Sequence, residues 1–330
     1  MMNARENYLA AARGGMPERV PVFPVDCNVF RPGFWKERDP ETGVDFCNIK
    51  WVKNDMGEMP LPGRKAMEDI GRWKETVRFP ELSKLDWAGI AREFEEGRDP
   101  EKVNIAMLNT AGWFLIPVNM LGWEDALCAI YEDPEEMEAF VSAITDFLLE
   151  LADYIGKYIK PDIVFTGDDF AAANGPFISR PVFQAMYKPY ITKVVDKIHS
   201  IGALAEFHCC GNCQFLIQEF LETGADSCQL PEPNEQLLTD KERYGKRLVL
   251  TGGWDRHGPG CMPFASEEVV RESVRTAIDV YGKDGALIFW DGGICGTSED
   301  SENKRKWVMD EALRYGSRVY QGKRRRDENA

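Results

Sequence analysis

Histidine is scarce in this chain, with three residues in 330, so any chemistry that needs an imidazole must run through His199, His208 or His257. No apolar run reaches the roughly 18 residues that a membrane-spanning helix requires. Residues 1–15 are charged and helix-like and lack the apolar centre of a signal peptide, so a cytoplasmic protein is expected. A disulfide framework is missing as well: nine cysteines are an odd number spread over a long chain, with Cys209, Cys210 and Cys213 crowded together, a pattern of reduced thiols. Basic residues are outnumbered, 40 Lys and Arg against 55 Asp and Glu, for a formal charge of −15. That charge repels nucleic-acid phosphates and anionic lipid surfaces. Only residues 322–330 run the other way, with Lys323, Arg324, Arg325 and Arg326; they read as a flexible, solvated basic tail.

What is present is apolar material in a regular order. Hydrophobic residues make up 44% of the chain, enough for a large core, and the length suits one closed barrel as a single domain. From about residue 100, short apolar runs alternate with long amphipathic stretches, the pattern of parallel strands joined by crossover helices. Strands are predicted at 103–108, 163–167, 203–209, 225–230, 247–251 and 286–291. The helices carry start signals: Asp133 before Pro134, Ser179 before Arg180 and Pro181, Ser266 before Glu267 and Glu268. The longest, 134–159, lines up Met137, Phe140, Val141, Ile144, Phe147, Leu148 and Leu151 at spacings of three and four, a core stripe. With 20–25 as a seventh strand and 46–52 as an eighth, the count predicts a (β/α)8 TIM barrel; a doubly wound sheet is the alternative. Residues 26–99, rich in Pro, Gly and Trp, read as loops and hairpins that cap the barrel mouth.

The passage that carries chemistry is residues 203–213, an apolar strand that runs into His208, Cys209 and Cys210 and stops at Gly211 and Asn212. This places the cluster at the carboxyl end of a strand, where parallel α/β enzymes build their sites. In extended backbone, residues two apart point the same way, so His208 and Cys210 face one point and Cys209 faces away. An imidazole nitrogen and a thiolate so placed suit zinc, which as a catalytic ion takes three protein ligands and an open position. Two sources of a third ligand follow other strand ends: Cys295, in the glycine-rich turn after 286–291, and the pair His257 and Cys261.

Other candidates are Asp168 and Asp169, adjacent carboxylates at a strand end that can act as acid or base or cap the next segment. Tyr187, Glu232 and Asp291 are candidates for substrate contact. Cys27, Cys47, Cys128 and Cys228 read as small buried hydrophobes, and His199 as an ordinary helix residue. Cys210 and Cys213 also form a Cys-x-x-Cys, which as a redox pair belongs at a helix start in a smaller fold.

Four stretches together resemble the uroporphyrinogen decarboxylase superfamily: residues 5–14 with 17–22, Gly167-Asp168-Asp169 through Ile178 and Ser179, residues 208–212, and Gly252-Gly253-Trp254-Asp255. The resemblance spans nearly the whole chain and implies a (β/α)8 barrel. Where the decarboxylase itself carries a Met-Arg-Gln-Ala-Gly-Arg run for tetrapyrrole carboxylates, this chain reads Asp26-Cys27-Asn28-Val29-Phe30-Arg31. It is more similar to the cobalamin-dependent methyltransferase branch, whose zinc is held by a His-x-Cys and a late Cys. That implies His208, Cys210 and Cys295 as the metal ligands, ahead of Cys261.

The function so implied is a zinc-dependent methyltransferase that moves a methyl group between a small substrate, a methoxy compound or a thiol, and the cobalt of a corrinoid. The methylcobalamin or corrinoid would arrive on a small partner protein docking over the barrel mouth, and a homodimer is compatible with the family. Trp35, Trp51, Trp73 and Trp113 suggest an apolar or aromatic substrate. Two rivals remain: a metal-free decarboxylase or lyase of an acidic small molecule working through Asp168 or Asp169, and a non-catalytic corrinoid- or metal-binding protein.

Overall fold

The computed structural model describes residues 2–54, 57–109, 111–230, 233 and 235–320. Seven parallel strands form one sheet: β1 (Cys27–Phe30), β2 (Val103–Met107), β3 (Ile163–Gly167), β4 (Leu204–His208), β5 (Ser227–Leu230), β6 (Leu250–Gly253) and β7 (Leu287–Trp290). Each strand lies beside the next in chain order. A doubly wound sheet would reverse its order at a switch point, so that alternative is excluded. The sheet curls, because Val22 pairs in parallel with Phe289 of β7 while the chain continues into β1, which pairs with β2. The backbone from Val22 to Phe30 thereby joins both edges, as in a TIM-like fold.

Two expected strands come out differently. Residues 20–25 contribute only the bridge at Val22, since Pro21 and Pro24 lack the N–H groups that a ladder needs; the ladder resumes at β1. The expected strand 46–52 lies outside the main sheet, where Trp51–Asn54 pairs antiparallel with Gly57–Pro60. Asn48 and Lys50 break one of its faces, so it cannot be buried on both sides as a strand of a parallel sheet is. A smaller correction concerns 247–251: Gly245–Arg247 make a 3-10 turn, and the strand begins at Leu250. The basic tail, 322–330, lies outside the described residues.

Two apolar layers hold the sheet. Inside the curl, Val103, Ile105, Ile163, Phe165, Val249 and Ile288 pack against Tyr8, Leu9, Ala11 and Ala12 of helix Ala4–Ala12. This helix starts at a reciprocal cap between Asn3 and Glu6. Arg5 ties it to Asp162, just before β3, and to the carbonyl of Glu101, just before β2, so it closes the amino-terminal end of the sheet. Outside the curl, helix Pro134–Tyr158 buries the predicted stripe, all seven residues of it. Ser179 and Ser266 accept the N–H groups of Val182 and Val269 as predicted caps. With one end plugged, the carboxyl ends of the strands are where a site can open.

Candidate metal centre at the carboxyl end of the sheet

β4 ends at His208, and the chain holds its direction long enough for Cys210 to turn the same way. His208 Nε2 lies 3.2 Å from Cys210 Sγ, while Cys209 is fully buried and takes the N–H of Phe170 on its sulfur. Gly211 stops the run at φ +78° with Ala171 O 2.2 Å from where a Cβ would stand, so only glycine fits this turn.

Beside it, Asp168 and Asp169 follow the end of β3, and the two carboxylates have different partners. Asp169 Oδ1 lies 3.5 Å from His208 Nε2 and accepts the N–H of Cys210 at 2.7 Å. Asp168 is buried and turned to backbone: it accepts the N–H groups of Phe114, Leu115 and Asp169, anchoring the start of helix Leu115–Leu121. Burial pushes its carboxyl up to about 7 against those three bonds. Burial also acts to raise Asp169, but His208 and the Cys210 N–H outweigh it and hold the carboxyl below its ordinary value. Burial lowers the His208 imidazole; its bonds to Asp169 and Cys210 more than reverse that, leaving it well above an ordinary histidine. His208 Nδ1 is buried and has no hydrogen-bond partner.

Asp169, His208 and Cys210 bring three ligand atoms within 4.8 Å of one another, the one such group among the described residues. Ligand atoms at zinc distances of about 2.0–2.3 Å in a tetrahedron stand about 3.3–3.8 Å apart, and the observed 3.2 and 3.5 Å are close to that. The donor set fits a zinc-class ion. Cys295 stands apart from this group: it is exposed on the loop after β7, with Sγ directed to Gly293 O at 3.3 Å. His257 is exposed and Cys261 half-buried, and neither is brought to the cluster.

The remaining candidates scatter. Tyr187 is fully buried among Phe114 and Phe170 with its hydroxyl unpartnered. Asp291 accepts the N–H of Gly293 in the turn after β7, and burial raises its carboxyl. Glu232 lies outside the described residues. His199 pairs with Asp226, and Cys47 and Cys228 are buried as expected; Cys128 is exposed, on the outer face of helix Trp123–Glu132. Of the tryptophans, Trp113 bonds Thr145 in the core and Trp73 stacks on Phe140, whereas Trp35 and Trp51 line an open chamber.

Beside His208 lies a cavity of about 220 Å³, walled by Phe23, Met107, Phe165, Gln229 and Trp290 among others. A sequence model of the uroporphyrinogen decarboxylase (URO-D) family matches residues 47–304, well over half of the chain. The chain belongs to the uroporphyrinogen decarboxylase family. A methylated-thiol–coenzyme M methyltransferase of Methanosarcina mazei is 24% identical to this chain over 189 residues, covering 56% of this chain and 48% of that protein. The chain thus matches about half the length of that curated relative. The solved structure of a methyltransferase from Methanosarcina mazei superposes with a TM-score of 0.64 over 96% of this chain and 99% of the other, at 13% identity, which establishes a shared fold.

Sequence reasoning flagged Asp169 as an acid or base but not as a neighbour of the His-x-Cys pair. The strand-end position of Asp169 was visible; its pairing across to β4 was not. Gln229 has no such signal in the sequence, although it stands next to last in its strand and in register with His208.

Proposed function

We propose that this URO-D family chain, as a single TIM-barrel domain, is a zinc-dependent methyltransferase working between a small methylated substrate and a corrinoid carried by a partner protein. The observation that carries the reading is the convergence of His208 Nε2 and Cys210 Sγ, 3.2 Å apart, at the carboxyl end of the sheet, with His208 on the wall of a cavity of about 220 Å³. When bound, zinc supplies a Lewis acid that holds a thiol as thiolate or stabilises a methoxy oxygen as its methyl group departs. The resemblance to the cobalamin-dependent branch and the methyltransferase names of the relatives support the same chemistry.

The chain's own residues have separate tasks. His208 and Cys210 hold the ion. Asp169 holds the Cys210 backbone in place by accepting its N–H, and Asp168 fixes the turn that presents Asp169. Cys295 is the third ligand in this proposal, carried inward by a loop whose Gly292, Gly293 and Gly296 all have positive φ and can change course at low steric cost. The region between β1 and β2 caps the mouth, and the corrinoid partner docks over it.

Elemental analysis of protein purified without added metal tests this directly. Near-stoichiometric zinc in the wild type, its loss in Cys210→Ala, and methyl transfer to a corrinoid protein that stops with it are expected. Absence of metal together with carbon dioxide release that ignores chelators would overturn it in favour of the decarboxylase reading.

A further inference from the structure

Inside the curl lies a polar group that the methyl-transfer scheme leaves unused. Barrel interiors are filled chiefly by branched apolar side chains, yet Glu206 of β4 is fully buried there. Its Oε1 accepts the hydroxyls of Ser227 on β5 and Thr251 on β6, and its Oε2 accepts Nε2 of Gln229 at 3.3 Å. Glu206 is in register with Ser227, and Gln229 with His208, so Gln229 stands one layer nearer the carboxyl end, level with the metal candidates.

A carboxylate only accepts, so it draws the N–H end of the Gln229 amide and leaves the oxygen free. That oxygen, Oε1, takes no hydrogen bond from any described residue. Gln229 is 4% exposed and lines the cavity beside His208, so the cavity is where its oxygen can meet a donor. The other carboxamide on that wall is spent. Asn109 Nδ2 donates to the carbonyls of Ala111 and Gly167, while its Oδ1 accepts the Thr166 hydroxyl and the Gly167 N–H. Buried acceptors are satisfied in nearly every folded protein, and for Gln229 the donor has to come from what enters the cavity.

The same space has aromatic walls. Phe23 meets Trp290 edge-on at 5.9 Å, and His208 lies against Phe165 and Trp290 at 5.4 and 6.2 Å. A cavity of about 150 Å³ admits benzene, so one of about 220 Å³ admits a single ring with small substituents. We infer that Gln229 is a specificity-determining residue whose carboxamide oxygen accepts a hydrogen bond from a hydroxyl or amino group on a single-ring aromatic substrate beside His208, with Glu206 as the positioning residue that orients the amide. This inference rests on the methyltransferase reading for the identity of the reacting atom, but the hydrogen bond can be measured by binding without turnover.

The experiment is titration calorimetry of the isomeric methoxyphenols and methoxyanilines against the matching fluoroanisoles, in which fluorine fills the donor's place without offering a hydrogen. Metal content is recorded for every protein used. Wild type is expected to bind at least one phenol or aniline about tenfold tighter than its fluoro counterpart, because a site built around a hydrogen bond rejects the analogue that lacks it. The larger of the two preferences names the donor. Gln229→Met should abolish the preference with metal content unchanged. Glu206→Gln, whose amide no longer fixes that of Gln229, should reduce it, and Ser227→Ala, which leaves the bond between Gln229 and Glu206 in place, should keep it. A wild type that shows no preference, or binds none of the series, overturns the inference. So does a Gln229→Met protein that keeps the preference, or a Ser227→Ala protein that loses it as fully, which would mark a structural role. If Gln229→Met does not fold, a crystal structure of wild type with the tightest ligand decides: a hydroxyl or amino group bonded to Gln229 Oε1 supports the inference, and one placed elsewhere overturns it. Failure of the zinc or methyl-transfer tests with the Gln229 pattern intact would remove the proposed reaction and leave the donor-binding site standing.

Discussion

Gly167 of β3 and His208 of β4 are direct neighbours in register, and a Cβ on Gly167 would lie 2.6 Å from both the Cβ and the carbonyl oxygen of His208. The imidazole takes its place because nothing occupies that side of β3. Gly167→Ala must push the His208 backbone aside, so it is expected to destabilise the fold by about 1–3 kcal/mol, the range of overpacking. It should also weaken metal binding. Urea unfolding and metal content measure the two effects, and an alanine variant with wild-type values in both would show that this contact does not position His208.

The third ligand separates two arrangements. If Cys295 completes the site, Cys295→Ala loses zinc as completely as Cys210→Ala, and Asp169→Asn retains most of it. If Asp169 remains in the first coordination sphere as it stands here, the order of the two variants reverses. Metal stoichiometry after dialysis against a weak chelator distinguishes them.

Asp168 should behave as a structural anchor. Its carboxylate takes three backbone N–H groups, and the amide of Asp168→Asn would set an N–H donor against one of them. A loss of about 1–3 kcal/mol is expected for a buried donor left unsatisfied. If Asp168 were instead the acid or base of a metal-free decarboxylase, the same variant would lose turnover while keeping wild-type stability.

Glu206 gives a pH-dependent prediction. It is fully buried inside the curl, accepts hydrogen bonds from Ser227, Gln229 and Thr251, and burial raises its carboxyl despite them. A carboxyl whose folded value exceeds its unfolded one keeps a proton that the unfolded chain has lost. Its contribution to stability therefore falls as pH rises from the ordinary carboxylate range through the raised value. Glu206→Gln removes this dependence. Relative to wild type, the variant should gain stability as pH rises above the ordinary carboxylate range, and melts at successive pH values test the sign.

Much of this molecule was legible because the signals are local. Buried strands such as 163–167 are short apolar runs, and the stripe of helix Pro134–Tyr158 repeats every three to four residues, so each shows its face without knowledge of its neighbours. The caps at Ser179 and Ser266 are satisfied within three residues. Extended backbone alternates sides, which alone placed His208 and Cys210 together and sent Cys209 away. Residues 46–52 failed the same reading because an antiparallel hairpin and a barrel strand look alike over so short a run.

The sequence by itself therefore determined the order of strands and helices, the pairing of His208 with Cys210, and the absence of any run able to cross a membrane. Only the tertiary structure decided that Val22 and β1 join the two edges of the sheet and that Asp169 faces the metal candidates while Asp168 faces backbone. Those relations join residues tens to hundreds of positions apart. They are set by which strand lies beside which and in what register, and no periodicity within one segment carries that information.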